Sequence, residues 1–336
     1  MKEIENFSDI IQTIKNLPSS SLSQKNKARD YQLTLTKPPG SLGLLEELAI
    51  DLCGWQNKLF PELKNVKTLI FAGNHGVCDQ GVNAFPQSVT QQMVSNFQNG
   101  GAAINQLCKV AGSDLQVIPI DLENPTKDIT KDSAMKETEF LACINIGINS
   151  IDKNSNIIIL GEMGIGNSTI AAAINYACFG GSIIDWVGMG TSSSNTILEH
   201  KVSVIEKATS INRSQNPIEI LMNLGGKEQA AIFGAVMACR VMKIPVIIDG
   251  YICSSSIAPL YLLNEIAIEN CIFSHYSREK GHKKLLSIMG KKAILDLDLC
   301  LGEGTGAVLA LNIIRSSIAC HNGMASFTEA GVSNKV

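Results

Sequence analysis

Short apolar runs recur along the chain, and most break at a glycine and give way to apolar positions at helical spacing. Five stand out: TLIFAG at 68–73, NIIIL at 156–160, SIIDWVG at 182–188, IPVIIDG at 244–250 and ILDLDLCLG at 294–302. Runs this short and this apolar predict strands, and strands alternating with helices predict a parallel sheet covered on both faces. The expected fold class is therefore α/β, with a three-layer parallel sheet at its centre. In such sheets the ligand site lies beyond the carboxyl ends of the strands. The polar, glycine-rich segments GNHG, GEMGIGNST, GMGTSSSN, DGYICSSS and GEGTG fall at those ends.

The flanking regions read differently. Residues 1–60 are helical in pattern and contain KPPGSLG (Lys37 to Gly43), a turn between two helical stretches. Residues 121–140 are polar and charged and read as a surface connection. After Gly306 the stretch AVLALNIIRSSIACHNGM predicts a strongly apolar helix followed by a short tail. The expected organisation is a helical part over 1–60, an α/β body over 61–310 that carries the site, and a final helix and tail over 311–336.

Composition narrows the function. A chain of 336 residues with 45% hydrophobic and 18% charged residues is globular and large enough for a sizeable core. The formal net charge is −3, and the 28 Lys and Arg are scattered, so the basic footprint of a nucleic-acid binder is missing and a small-molecule partner is expected. The opening MKEIENFSDIIQTIKNL has no apolar signal core, and no later run approaches the ~18–20 apolar residues that span a bilayer. None of the ten cysteines forms a C-x-x-C pair, which predicts free thiols in a reducing cytoplasm and no metal-ligand cluster.

Three motifs carry candidate chemistry. In GEMGIGNST, Gly161 and Gly166 are spaced as in a phosphate loop, but Asn167 stands where a triphosphate-binding loop has lysine. What remains is a backbone cradle at a helix start, suited to one monophosphate; a purely structural glycine turn is the alternative. Asn74 and His75 in GNHG have metal-ligand character, but without a second Asp/His cluster a hydrogen-bonded structural histidine is the stronger reading. Glu303, flanked by Gly302 and Gly304, projects a carboxylate at a strand end before an apolar helix. It suits a general base with a raised pKa, or a helix-start carboxylate favoured by the helix dipole.

Together KPPGSLG, HG, GV-x-AFPQ-x-VT, MV-x-NF, GGAAIN, GEMGIGN, GGKE, DG and LGEGTGA, in this order, resemble the nicotinate-nucleotide:5,6-dimethylbenzimidazole phosphoribosyltransferase family of cobalamin biosynthesis. The resemblance covers nearly the whole chain. It implies a Rossmann-like parallel-sheet domain, a small helical domain built from the chain ends, and a cytoplasmic homodimer without a cofactor. Its substrates would be nicotinate mononucleotide and 5,6-dimethylbenzimidazole. By the same resemblance Glu303 is the base, Glu162 a second active-site carboxylate, and Lys201 a cation near the nucleotide. Gly164, Gly190, Ser192 and Ser277 look like phosphate-side contacts, although Ser192 stands where many relatives carry glycine. Gly166, Asn167, Thr191, Asp249 and Gly304 join them around the nucleotide, while Gln87, Phe85 and Met163 would line the pocket for the aromatic base. Two alternatives stay open: the same reaction on another acceptor, such as adenine or a phenol, or a nucleotide-binding module without catalysis.

Overall fold

Six parallel strands make one sheet in a computed structural model that describes residues 1–188 and 195–333. In chain order they are β1 (Val66–Ala72), β2 (Asp114–Pro119), β3 (Ile157–Met163), β4 (Val246–Ile248), β5 (Cys271–His275) and β6 (Ala293–Leu295). Their order across the sheet is β2-β1-β3-β4-β5-β6, so the winding reverses between β1 and β3. That reversal is where a doubly wound sheet opens a crevice for a ligand.

Both faces of the sheet are covered, as the unbroken apolar runs require. Along β3, Ile157 and Ile159 pack into one cluster, while Ile158 and Leu160 pack into another on the opposite face. The first cluster is closed by helices Leu44–Gln56, Ala103–Ala111 and Thr305–Gly323. The second, larger one is closed by Glu137–Asn149, Asn167–Phe179 and Lys227–Met242, among others. No helix among the described residues is long and apolar enough to cross a membrane. All ten cysteines are free.

The two ends of the chain meet. Thr36 donates its amide to the Ala325 carbonyl at 3.1 Å, and Phe327 donates to the Thr34 carbonyl at 3.0 Å. Helix Thr305–Gly323 therefore starts beside the carboxyl ends of the strands and finishes against the N-terminal helices. His321 near its end is buried against Gln32, 2.7 Å from its side chain, and Tyr31.

Three expectations change. SIIDWVG is not a strand: Ile183–Asp185 is one 3-10 turn, because Trp186 is buried and donates its indole N–H to the Gly180 carbonyl at 2.8 Å, which folds the segment back on the preceding helix. ILDLDLCLG pairs only over Ala293–Leu295, at the sheet edge, and the strands DLQVIP (β2) and CIFSH (β5) are additional. The 121–140 connection is not all surface, since Ile129, Ala134 and Met135 are buried and Thr126 bridges to His75.

Candidate active site

Over the carboxyl ends of the strands lies a cavity of about 380 Å³, within the size range of small-molecule sites. Part of its wall is carboxylate-rich. Glu162, at the end of β3, is 5% exposed, and Asn167 donates its side-chain amide to the Glu162 Oε2. Glu303 is 6% exposed and sits in a turn of three successive left-handed residues, with φ of 80°, 61° and 80° at Gly302, Glu303 and Gly304. Glycine on either side makes that backbone accessible, and it leaves the glutamate as the one residue bearing the conformational cost. A Cβ at Gly161 would lie 2.6 Å from the Gly304 nitrogen, so β3 and this turn are in direct backbone contact.

Asp249, following β4, holds the turn from behind. Its Oδ2 accepts the Gly304 amide and its Oδ1 the Ala307 amide, both at 3.0 Å. A carboxylate at the first turn of a 19-residue helix is favoured by the exposed amides and the dipole. The same charge acts on its neighbours. Burial, with Asp249 adding to it, pushes Glu303 up to about 7. Burial first, then Asp249, Glu228 and Glu303, hold Glu162 well above the usual carboxylate range, against the hydrogen bond from Asn167. The role of helix-start anion, open to Glu303 on sequence alone, is filled by Asp249 instead.

Another part of the wall is polar and holds a cation. Gly166 turns the chain into helix Asn167–Phe179 with φ 92°, so Asn167 and Ser168 open that helix at the cavity wall. Lys201, on helix Asn195–Ile211, is buried and reaches Ser168 Oγ at 3.4 Å. Burial lowers its pKa, and the nearby Glu279 carboxylate acts the other way. Ser277 and Glu279 close this part of the wall. Val82, Phe85, Val89, Met93, Met163 and Leu301 supply the apolar lining.

The cavity thus brings together Glu162, Met163, Gly164, Gly166, Asn167, Lys201, Phe85, Ser277 and Glu303 from the sequence reading. Asp249 and Gly304 stand behind the wall. The Gln87 Nε2 donates to the His75 carbonyl at 2.8 Å, which braces the GNHG segment. Gly190, Thr191 and Ser192 lie outside the described residues. His75 is buried, with Nε2 3.0 Å from Glu228 Oε1, and among the described residues no group of three or more His, Cys, Asp or Glu is arranged to hold a metal ion. Sequence reasoning missed His275, Glu279 and Tyr251. The signal for the first two was the unrecognised strand CIFSH, whose carboxyl end leads straight into Ser277.

The family of proteins described as "Phosphoribosyltransferase" matches residues 17–332, nearly the full chain. The chain belongs to this phosphoribosyltransferase family. Nicotinate-nucleotide--dimethylbenzimidazole phosphoribosyltransferase of Rhodobacter capsulatus is 46% identical over 332 residues, covering 99% of each chain. The enzyme of the same name from Brucella canis is 47% identical over 329 residues, 97% of each. Among solved structures, CobT from Thermus thermophilus superposes with a TM-score of 0.86 at 34% identity, over 93% of this chain and 100% of that one. As a phosphoribosyltransferase, the chain has its cavity where the doubly wound sheet calls for it, and the residues of GEMGIGN and LGEGTGA meet there.

Proposed function

We propose that this phosphoribosyltransferase transfers phosphoribose from nicotinate mononucleotide to 5,6-dimethylbenzimidazole, giving α-ribazole 5′-phosphate and nicotinate, in the lower-ligand branch of cobalamin biosynthesis. The observation that carries the reading is that a carboxylate poised near neutrality and a buried lysine beside a helix start line one cavity. The full-length relatives of that name support it.

In this reading the 5′-phosphate rests against the start of helix Asn167–Phe179 with Ser168, Ser277 and Lys201, which supply amide, hydroxyl and ammonium donors. The benzimidazole lies on the apolar wall of Phe85, Val89, Met93 and Met163. Its unprotonated ring nitrogen attacks the anomeric carbon, the glycosidic C–N bond breaks, and nicotinate leaves with the electron pair. Configuration inverts, and the leaving ring changes from a pyridinium to a neutral ring, so no acid is needed. The acceptor's N–H proton passes to Glu303, ionised at and above about pH 7. Glu162, whose pKa burial and its carboxylate neighbours hold well above the usual carboxylate range, stands beside Glu303 in this reading as the second active-site carboxylate. We place the working protein in the cytoplasm as a homodimer, with the N-terminal helices and the end of the C-terminal helix forming a small helical domain. Phe85 and Leu301, 50% and 56% exposed on the cavity wall, leave apolar surface for a second copy to cover.

The test is incubation with nicotinate mononucleotide and one acceptor at a time, measuring released nicotinate. Dimethylbenzimidazole is expected to exceed unsubstituted benzimidazole in kcat/KM by a factor within about 200, the range that one or two methyl groups earn in an apolar pocket. Adenine is expected to be poorer still, because its amine and extra nitrogens would be buried with few partners. A preference for adenine or a phenol would keep the reaction and overturn the acceptor. No release of nicotinate with any of these acceptors would favour a binding module.

A further inference from the structure

The polar part of the wall is shaped by the turn after β5, which presents Ser277 and Glu279 to the cavity. Behind that turn lies His282, fully buried on helix Lys280–Ile288 and outside the cavity itself. Its Nδ1 accepts the Ser277 backbone amide at 3.0 Å, and its Nε2 lies 3.0 Å from Ser254 Oγ on helix Tyr251–Ser256. An amide can only donate, so Nδ1 carries no proton, and the neutral ring must carry it on Nε2 and donate it to Ser254. The groups facing the ring are Ser254, Ser277, Tyr251 and His275, and the rings of the last two lie 6.1 and 6.2 Å away. Burial, with His275 adding to it, holds His282 down to about 3, so the ring remains a neutral acceptor. Ser277 Oγ in turn accepts the Glu279 amide at 3.2 Å, which occupies one lone pair, and Ser277 lines the cavity.

We propose that His282 is a positioning residue: held in its Nε2–H tautomer by Ser254, it fixes the Ser277 amide and so aims the Ser277 hydroxyl at the phosphoryl group of the nucleotide. The ring ties the segment after β4 to the turn after β5, and both line the cavity. This rests on the proposed function only for the nucleotide it names.

Three substitutions separate this role from simple space-filling. His282→Asn places an amide oxygen where Nδ1 stood, whereas His282→Gln extends to the Nε2 position and His282→Phe keeps the ring without either nitrogen. The Asn variant is expected to keep KM for nicotinate mononucleotide within about threefold of wild type. The Gln and Phe variants should raise it roughly ten- to hundredfold, the scale of one lost buried hydrogen bond, with kcat and the acceptor KM changed far less. A structural role gives a different order, since Asn leaves the largest hole and should then be worst in melting temperature and KM alike. That order, or an unchanged KM in His282→Phe, overturns the proposal. Should the ring variants fail to fold, Ser254→Ala removes a single oxygen and is expected to raise the same KM severalfold by releasing the tautomer; no change overturns the proposal. Nitrogen-15 shifts of the His282 ring in the wild-type protein should show an unprotonated Nδ1 throughout the neutral range, and an Nδ1–H tautomer overturns it whatever the substrate. Wild-type protein that releases no nicotinate would sink the functional reading, while the tautomer would still be decided by that measurement.

Discussion

Two parts of the cavity wall carry opposite charges, yet burial acts on them alike. In one, Glu162 and Glu303 are pushed towards their protonated, neutral forms; in the other, Lys201 is pushed towards its unprotonated form. Each part is therefore desolvated in favour of the less charged state, and each regains its charge's worth only when a complementary charge arrives. A nucleotide with a negative phosphate at one pole and a cationic pyridinium at the other supplies both. The difference between the two parts is in their backing. Asp249 adds a second negative charge behind Glu303, whereas Lys201 has the carboxylate of Glu279 working to keep it charged. In the proposed reading the carboxylates are thus set for proton transfer near neutrality, and the lysine for binding the phosphate.

Breaking the carboxylate part should have the larger effect. Glu303→Gln keeps the shape and removes the base, and turnover should drop by roughly 10²–10⁴-fold with little change in nucleotide KM. Steady-state kinetics at saturating acceptor decide it; wild-type turnover would remove Glu303 from the base role. In the other part, Lys201→Met should act mainly on binding, raising nucleotide KM by about 10–150-fold, the worth of a charge-assisted hydrogen bond. The same change should matter little for a substrate lacking the phosphate. If kcat falls and KM does not, the lysine belongs to the chemistry and the division between the two parts is wrong.

A smaller effect sharpens the contrast. In the proposed role Glu303 accepts a proton only when ionised, so kcat/KM should fall about tenfold per pH unit below about 7 and level off above it. Replacing Glu303 by Gln should flatten that limb. Stability runs the other way. A carboxyl whose folded pKa lies above its unfolded value favours the fold while protonated, and that advantage is lost as pH rises from the ordinary carboxylate range through about 7. Urea unfolding across this interval should show wild type losing stability with rising pH relative to Glu303→Gln, which cannot ionise.

Much of this was legible before any coordinates. Glycine-broken apolar runs placed β1, β3 and β4, and the polar segments after them marked the carboxyl ends where the cavity lies. The pairing of Glu162 with Glu303 was not legible from spacing, since they are brought together by backbone contact between Gly161 and Gly304. β2 was hidden because its edge position leaves it half exposed and mixed in polarity, and β5 because its apolar stretch is short and ends in Ser274 and His275. SIIDWVG misled for the converse reason: its apolar side chains serve one buried tryptophan and a turn, and a hydrophobic run cannot announce whether a neighbouring strand has room for it.

The left-handed turn at Glu303 also bears on how such a protein changes over generations. A glutamate at φ 61° carries a backbone penalty of about 1–2 kcal/mol that glycine would not. Glu303→Gly should therefore melt higher than wild type while losing turnover, a trade that thermal unfolding beside the nicotinate assay would expose. In the proposed role as base, the acid is kept at this position at a cost to the fold, and a chain relieved of that role could relax to glycine there with its cavity intact.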